Sequence, residues 1–435
     1  MIESPSLWGL LPLAVFIVLV FLRSHPVVAV LIASIVGAIM AGASAMEFAE
    51  QVNAGLSGLL AQIALIILLG GGLGKITDVT GVAALLARTI ITRIGVKTPN
   101  RAIISTMLCS GLMVGSLGTM AGANTVIAPV IIPIVASAGL STSAVAIIFQ
   151  GVGATGLWLG PFTAPMVTLI ELTGLSYWQI VLYASLPLSA ALWIATFLFV
   201  KLTLKKSLIE HSYPEEVLQS IDEMHNEKAS RATIRATAAF VVTLLALIVI
   251  GIIIQGGVTF AVVVISVTGI VTGLFYGIRP NDIAENFFEG AKPLVWLFFL
   301  FVFFSPFIYF VGQMGGFESL RLVLDPIVSG TSGVMTVIIT TLTGVAGIPG
   351  AAVAQSVILD EMFSGVFQSA GIPSSLFALM LLAGSQLTEF LYPVSDTLMN
   401  MGIARSNDLK RMIYFGVAAT VTALIVIVIV SMVVV

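Results

Sequence analysis

Long apolar runs separated by short polar breaks recur along the chain at one characteristic length. Runs near 8–23, 26–44, 56–74, 141–170 and 178–200 precede a mixed-charge stretch, and runs near 236–255, 259–278, 292–313, 373–398 and 412–435 follow it. A helix needs roughly 20 apolar residues to cross the hydrocarbon core of a bilayer. The pattern therefore predicts ten spans, five on each side of a polar linker. The runs are continuous rather than alternating, which disfavours a porin-type barrel. Two more apolar stretches, 101–136 and 331–370, are interrupted midway by small residues: Gly115-Ser-Leu-Gly118-Thr-Met-Ala-Gly122-Ala-Asn124-Thr125 in one, Gly344-Val-Ala-Gly347-Ile-Pro349-Gly350 in the other. A helix that stops at membrane depth must have its freed backbone groups satisfied by protein or by a water-filled cavity. Both stretches read as re-entrant hairpins.

An internal repeat organises these elements. Sliding the chain by 232 positions lays 115–167 on 347–399 without a gap and pairs Gly115 with Gly347, Gly118 with Gly350, Ser137-Ala138-Gly139 with Ser369-Ala370-Gly371, and Pro161 with Pro393. A slip of three residues then matches Glu47-Phe-Ala-Glu50 to Asp282-Ile-Ala-Glu285. The expected organisation is a first repeat over 1–204 (hairpin 101–136, broken helix 141–170), a cytoplasmic linker over 205–235, and a second repeat over 236–435 (hairpin 331–370, broken helix 373–398). Five spans is an odd number, so the second repeat runs inverted relative to the first. The fold class is an all-α polytopic membrane protein built of two inverted repeats, each with five transmembrane helices and a re-entrant hairpin.

Composition narrows the function classes. Hydrophobic residues make up 58% of the 435 and charged residues only 9%, with a mean hydropathy of +1.13, whereas soluble domains carry about 25% charge. A soluble enzyme is excluded. Eighteen Lys and Arg against 21 Asp and Glu leave no basic surface for phosphates, so no nucleic-acid partner is expected. Cys109, the single cysteine, cannot form a disulfide within the chain and reads as a small core residue. The first basic residues, Arg23 and His25, follow the first apolar run, which is therefore a retained span rather than a signal peptide. With the N-terminus outside, every Lys and Arg except Arg321 falls on one face. That face is then cytoplasmic, both termini are external, and the protein resides in the inner membrane.

Candidate chemistry gathers where helices break. Broken helices present N–H groups and carbonyls at the midplane, where they hold anions and cations respectively. Pro161, Pro165 and Pro393 each open a helix by removing a donor. Polar residues cluster at the same places: Ser116, Gly118, Thr119, Asn124 and Thr125 in the first hairpin, Thr163 after Pro161, Gly350, Gln355 and Ser356 in the second hairpin, Ser395 and Thr397 after Pro393. Their oxygens suit a hard cation or a hydroxylated or carboxylated solute. Asp360, Glu361, Glu389 and Asp396 add carboxylates that are costly at membrane depth. Their repeat equivalents Ala128, Pro129, Leu157 and Ala164 are uncharged, and no Lys or Arg lies in the second hairpin or break. His25, His211 and His225 are expected in water near the membrane boundaries. No Walker motif is present, and no nucleophile, base and orienter occur together, so neither an ATP-driven pump nor an enzyme is expected.

The order of elements resembles the ion transporter superfamily of secondary carriers, which includes divalent-anion/sodium symporters, the large membrane subunits of TRAP transporters, gluconate permeases and certain sodium/proton antiporters. Three spans, a cytoplasmic arm from Lys75 through Arg101, a hairpin, a span with an unwound centre and a final span occur twice. Gly111-Leu-Met-Val-Gly115-Ser116-Leu-Gly118-Thr119 looks like that group's hairpin glycine region, and Gly122-Ala-Asn124-Thr125 is similar to the Ser-Asn-Thr signature of its sodium symporters, with Ala123 in place of the serine. The resemblance implies elevator-type transport of a small organic anion or amino acid by a homodimer in the bilayer. No cofactor is expected; the coupling ion is H⁺ or Na⁺, with Na⁺ placed near Asn124 and Ser356. A sodium/proton antiporter and the membrane subunit of a carrier served by a periplasmic binding protein are the alternatives.

Overall fold

The computed structural model describes residues 6–22, 24–217, 229–329, 332–347, 351–393 and 395–434, and the architecture is helical throughout. The first half comprises α1 (Leu11–Phe21), α2 (Pro26–Met40), α3 (Ala45–Ser57), α4 (Leu59–Val79), α5 (Val82–Ile94), α6 (Pro99–Leu117), α7 (Met120–Ser137), α8 (Thr142–Leu159) and α9 (Ala164–Thr173). It ends with α10 (Tyr177–Glu210). The second half comprises α11 (Arg231–Ile253), α12 (Gly257–Tyr276), α13 (Pro280–Ala291), α14 (Val295–Gln313), α15 (Gly316–Ser329), α16 (Gly333–Val345) and α17 (Ala352–Ser369). It closes with α18 (Ser374–Leu391), α19 (Ser395–Ile403) and α20 (Leu409–Val434). Nine helices among the described residues are long and apolar enough to cross a membrane. The chain is an all-α polytopic membrane protein.

Each element of the first half has a counterpart ten labels later. Two apolar helices lead to an amphipathic helix, a long apolar helix and a second amphipathic helix. A helical hairpin, an interrupted helix and a final span follow. The two stretches expected as hairpins are occupied by the helix pairs α6–α7 and α16–α17. The amphipathic helices α3 and α13 were not anticipated, and the arm expected from Lys75 is shorter, because α4 continues to Val79 and only α5 lies beyond it. Both expected linker ends are helical, since α10 runs to Glu210 and α11 starts at Arg231. Arg23, Gly350, and Asp222, Glu223, His225 and Glu227 of the linker lie outside the described residues.

Local chemistry starts and stops these helices. Ser141 caps α8 by accepting from the Ala144 N–H at 3.2 Å, and Ser230 caps α11 through the Thr233 N–H at 3.0 Å. Gly118 ends α6 at φ +72°, a left-handed turn that glycine takes without steric cost. One residue later α7 begins, so the first hairpin has a two-residue tip.

Small residues let the hairpins approach their neighbours. A β-carbon on Gly156 of α8 would lie 2.5 Å from the Gly111 carbonyl and 2.9 Å from the Gly115 nitrogen of α6. Gly111-x-x-x-Gly115 is therefore the face on which α8 packs, the membrane-helix use of small residues four apart. In the second half Gly344 of α16 meets Gly384 of α18, where a β-carbon would stand 2.7 Å from the facing Cα. Cys109 is buried near the Ala87 carbonyl, 3.6 Å away, as a core residue.

An ion cluster ties the helix ends on the linker side. Asp408 pairs with Arg411 at 2.7 Å and with His211 at 3.3 Å, while accepting from the Ser143 hydroxyl at 3.0 Å. Arg411 also reaches Glu210 at 2.8 Å. His211 is thus not a solvated boundary residue, as the sequence suggests; its partly buried ring is held by the connector against α8 and α20.

Candidate functional site

Each hairpin packs on the second limb of the other half's broken helix: α7 contacts α19, and α17 contacts α9. This reciprocal crossing brings residues hundreds of positions apart to one place. Asn124, one turn into α7, is fully buried. Its oxygen accepts from the Ser110 hydroxyl at 2.8 Å. Its nitrogen donates to the Asn400 side-chain oxygen at 2.9 Å and to the Phe149 carbonyl at 3.3 Å. Asn400 of α19 in turn donates to Gln150 at 2.9 Å, and Gln150 donates to the Glu389 carbonyl at 3.1 Å. The Thr397 hydroxyl donates to that same carbonyl at 2.9 Å. The chain of amides spans α6, α7, α8, α18 and α19 with no formal charge.

Sequence reasoning singled out Asn124, Glu389 and Thr397 here but missed Ser110, Gln150 and Asn400. Amides within apolar runs were the available signal, since each is expensive to bury without partners. The sequence places Asn124 among candidate solute or ion ligands. Three hydrogen bonds and complete burial show that it also holds the two halves together.

The first break spans Gly160 to Thr163, as Pro161 requires. Its carbonyls are covered by the protein's own hydroxyls. Buried Thr163 stands within hydrogen-bond reach of the Leu157 and Gly160 oxygens, the latter at 2.9 Å, and Tyr177 donates to the Leu159 carbonyl at 2.8 Å. Trp158, just before the break, donates to Gln386 of α18 at 3.3 Å. The second break follows α18, where Tyr392 is extended ahead of Pro393. Ser395 opens α19, and its side chain lies outside the described part. Asp396 sits in the first turn of α19 and is partly buried.

The remaining candidates divide by environment. Ser116 and Ser356 each donate to the carbonyl four residues earlier, Leu112 at 2.7 Å and Ala352 at 3.2 Å, so Asn124 and Ser356 share no partner. Thr119, at the hairpin tip beside Gly118, is buried and its hydroxyl finds no partner among the described residues. Thr125 is exposed on the flank of α7. Gln355 donates to the Gly344 carbonyl and, at 3.0 Å, to that of Gly384. In each half an amide early in the second limb of the helix pair thus donates to a carbonyl of the helix that follows. Asp360 is partly buried and Glu361 exposed. No base lies near them in sequence, but α15 brings one in space: Arg321, paired with Glu318 at 2.6 Å, reaches α17 at Gly365, one turn beyond Glu361.

A family model described as GntP family permease matches residues 7–271. No curated protein matches the chain. Among solved structures, MtrF of Neisseria gonorrhoeae, presented as illuminating a class of antimetabolite efflux pumps, superposes with a TM-score of 0.55 at 15% identity, covering 97% of this chain and 94% of that one. At that identity the likeness speaks for the fold alone.

Proposed function

The chain belongs to the GntP permease family, a membrane transporter rather than an enzyme, and from that premise we propose that it is a secondary carrier of a small carboxylate or sugar acid coupled to H⁺ or Na⁺. The observation that carries this reading is the reciprocal crossing of hairpins and broken helices, with the Asn124–Asn400 pair buried where α7 meets α19. Such a centre holds carbonyls, amides and hydroxyls at membrane depth, between two hairpins that can each admit a solute from one face. The halves are related as inverted repeats, and alternating access is an elevator-type movement of α6–α10 and α16–α20 against α1–α4 and α11–α14. A homodimer supplies the fixed frame.

Asp396 is our candidate for the coupling proton. It lies in the first turn after the second break, and no Lys, Arg or His forms an ion pair with it among the described residues. The test is uptake into proteoliposomes across a panel of labelled hydroxycarboxylates with imposed pH or Na⁺ gradients. Asp396→Asn keeps size and hydrogen bonding but removes titration, so it should still exchange solute while losing accumulation driven by a pH gradient. Full pH-driven accumulation in that variant would move the coupling to Asp360 or to Na⁺ at Asn124. Flux of no carboxylate in the unaltered protein would overturn the substrate class.

A further inference from the structure

A groove of about 970 Å³ lies between α4, α12, α13 and the start of α14, away from the amide cluster. The sequence of α13 builds one wall. Ile283, Ala284, Phe287, Phe288 and Ala291 line the groove, and their spacing of three and four makes one apolar stripe along an otherwise polar helix. Packing fixes that helix in place. A β-carbon on Gly71 of α4 would stand 2.6 Å from the Gly290 carbonyl, and Phe287 rests against Gly72 and Gly269. Lys75 pairs with Glu289 at 3.6 Å and so sets the level of α13 against α4.

The other walls belong to spanning helices. Leu65 and Leu69 line the groove from α4, and Ser266 and Ile270 from α12. Leu65 precedes Lys75 by ten residues, ~15 Å along a helix axis, which is about half of the ~30 Å hydrocarbon core. The groove therefore reaches from the level of α13 to near the midplane, the depth of one leaflet. Its surface is apolar and open: Phe288 is 74% exposed and Ile270 45%. Apolar surface left open on spanning helices faces acyl chains rather than water.

Charge is confined to the rim. Glu285, Glu289 and Lys292 also line the groove, and helical spacing puts all three on the same flank of the apolar stripe. Two carboxylates four residues apart on a helix repel each other, and Lys75 answers only Glu289. Glu285 and Lys292 form no ion pair among the described residues, and both are exposed. A cation between the two acids relieves their repulsion. Lys292, three residues past Glu289 and so about 5–6 Å away, offers an anion site next to it. An ammonium and a phosphate joined by a short linker match this rim.

We propose that the groove is a binding site for phosphatidylethanolamine: one acyl chain lies along α4 and α12, the ammonium sits between Glu285 and Glu289, and the phosphate meets Lys292. The primary ammonium has three N–H donors for the two acids. A trimethylated headgroup has none, and an anionic headgroup without a cation meets two carboxylates. A bound lipid bridges α4, α12, α13 and α14 and so stabilises the folded protein. The inference is independent of what the chain carries.

The experiment uses the full chain in detergent, titrated separately with dioleoyl phosphatidylethanolamine, phosphatidylcholine and phosphatidylglycerol, and read by melting point and by native mass spectrometry. Phosphatidylethanolamine should raise the melting point by about 3 °C and stay bound as one lipid per chain, with the other two lipids giving less than half of that shift. Glu285→Gln and Lys292→Gln should each weaken its binding about tenfold. Ala284→Phe, which fills the groove and leaves every charge in place, should abolish the lipid shift. The lipid-free melting point of each variant separates lost binding from lost folding, because all three side chains are exposed and their replacement should leave that value unchanged. Equal shifts with all three lipids, a larger one with phosphatidylglycerol, or a phosphatidylethanolamine shift indifferent to Glu285→Gln and Lys292→Gln would overturn the assignment. So would dimers that Ala284→Phe splits without any headgroup dependence, since a second copy would then cover the groove.

Discussion

Asn124 and Asn400 stand 276 positions apart in the chain and 2.9 Å apart in the fold. Removing either side chain leaves its partners buried and unmet, and an unsatisfied buried group costs about 1–3 kcal/mol. Asn124→Ala should therefore lower both transport and thermal stability. Asn400→Ala should do the same. Because the pair shares one bond, the double variant should lose less stability than the sum of the singles. Strict additivity in thermal melts of the detergent-solubilised protein would show that the amides act independently. Asn124 was legible because glycines surround it in a visible break. Asn400 and Gln150 sit in unbroken helical sequence, and only the crossing of α7 with α19 gives them a shared role.

Glycine and proline interrupting apolar runs marked where helices stop, at Gly118 and at the breaks around Pro161 and Pro393, because those residues end a helix by their own backbone chemistry. What they did not reveal is how the freed groups are satisfied. At the first break Thr163 answers for the Leu157 and Gly160 carbonyls, while five separate helices contribute to the amide cluster. Thr163→Val keeps the volume and removes the donor. It should destabilise the protein by about 1–3 kcal/mol and slow transport, whereas Thr163→Ser should retain most of both. Melting points and initial uptake rates of the two variants check this, and equal behaviour of Val and Ser would assign the break's geometry to Pro161 alone. The helices α3 and α13 escaped notice for a related reason. Their residues are mixed rather than apolar, so a search for spans passes over them, although the repeat match of Glu47–Glu50 to Asp282–Glu285 marked both places.

The whole molecule distributes its charges unevenly, and the fold shows which ends share a face. Glu210, His211, Asp408 and Arg411 meet in one cluster, which joins the end of α10 and the start of α20 to the connector. Ser143 binds Asp408 there, so the start of α8 lies on the same side. Basic residues concentrated on one side of a membrane protein mark the cytoplasmic face, so we propose that the N-terminus and C-terminus lie outside and the connector inside. Ser212 is exposed within that connector, next to His211 and away from the amide pair. With Cys109 replaced by alanine, a cysteine introduced by Ser212→Cys should react with a membrane-impermeant maleimide in inside-out vesicles and stay unlabelled in intact cells. The opposite pattern would invert the topology and put the connector outside.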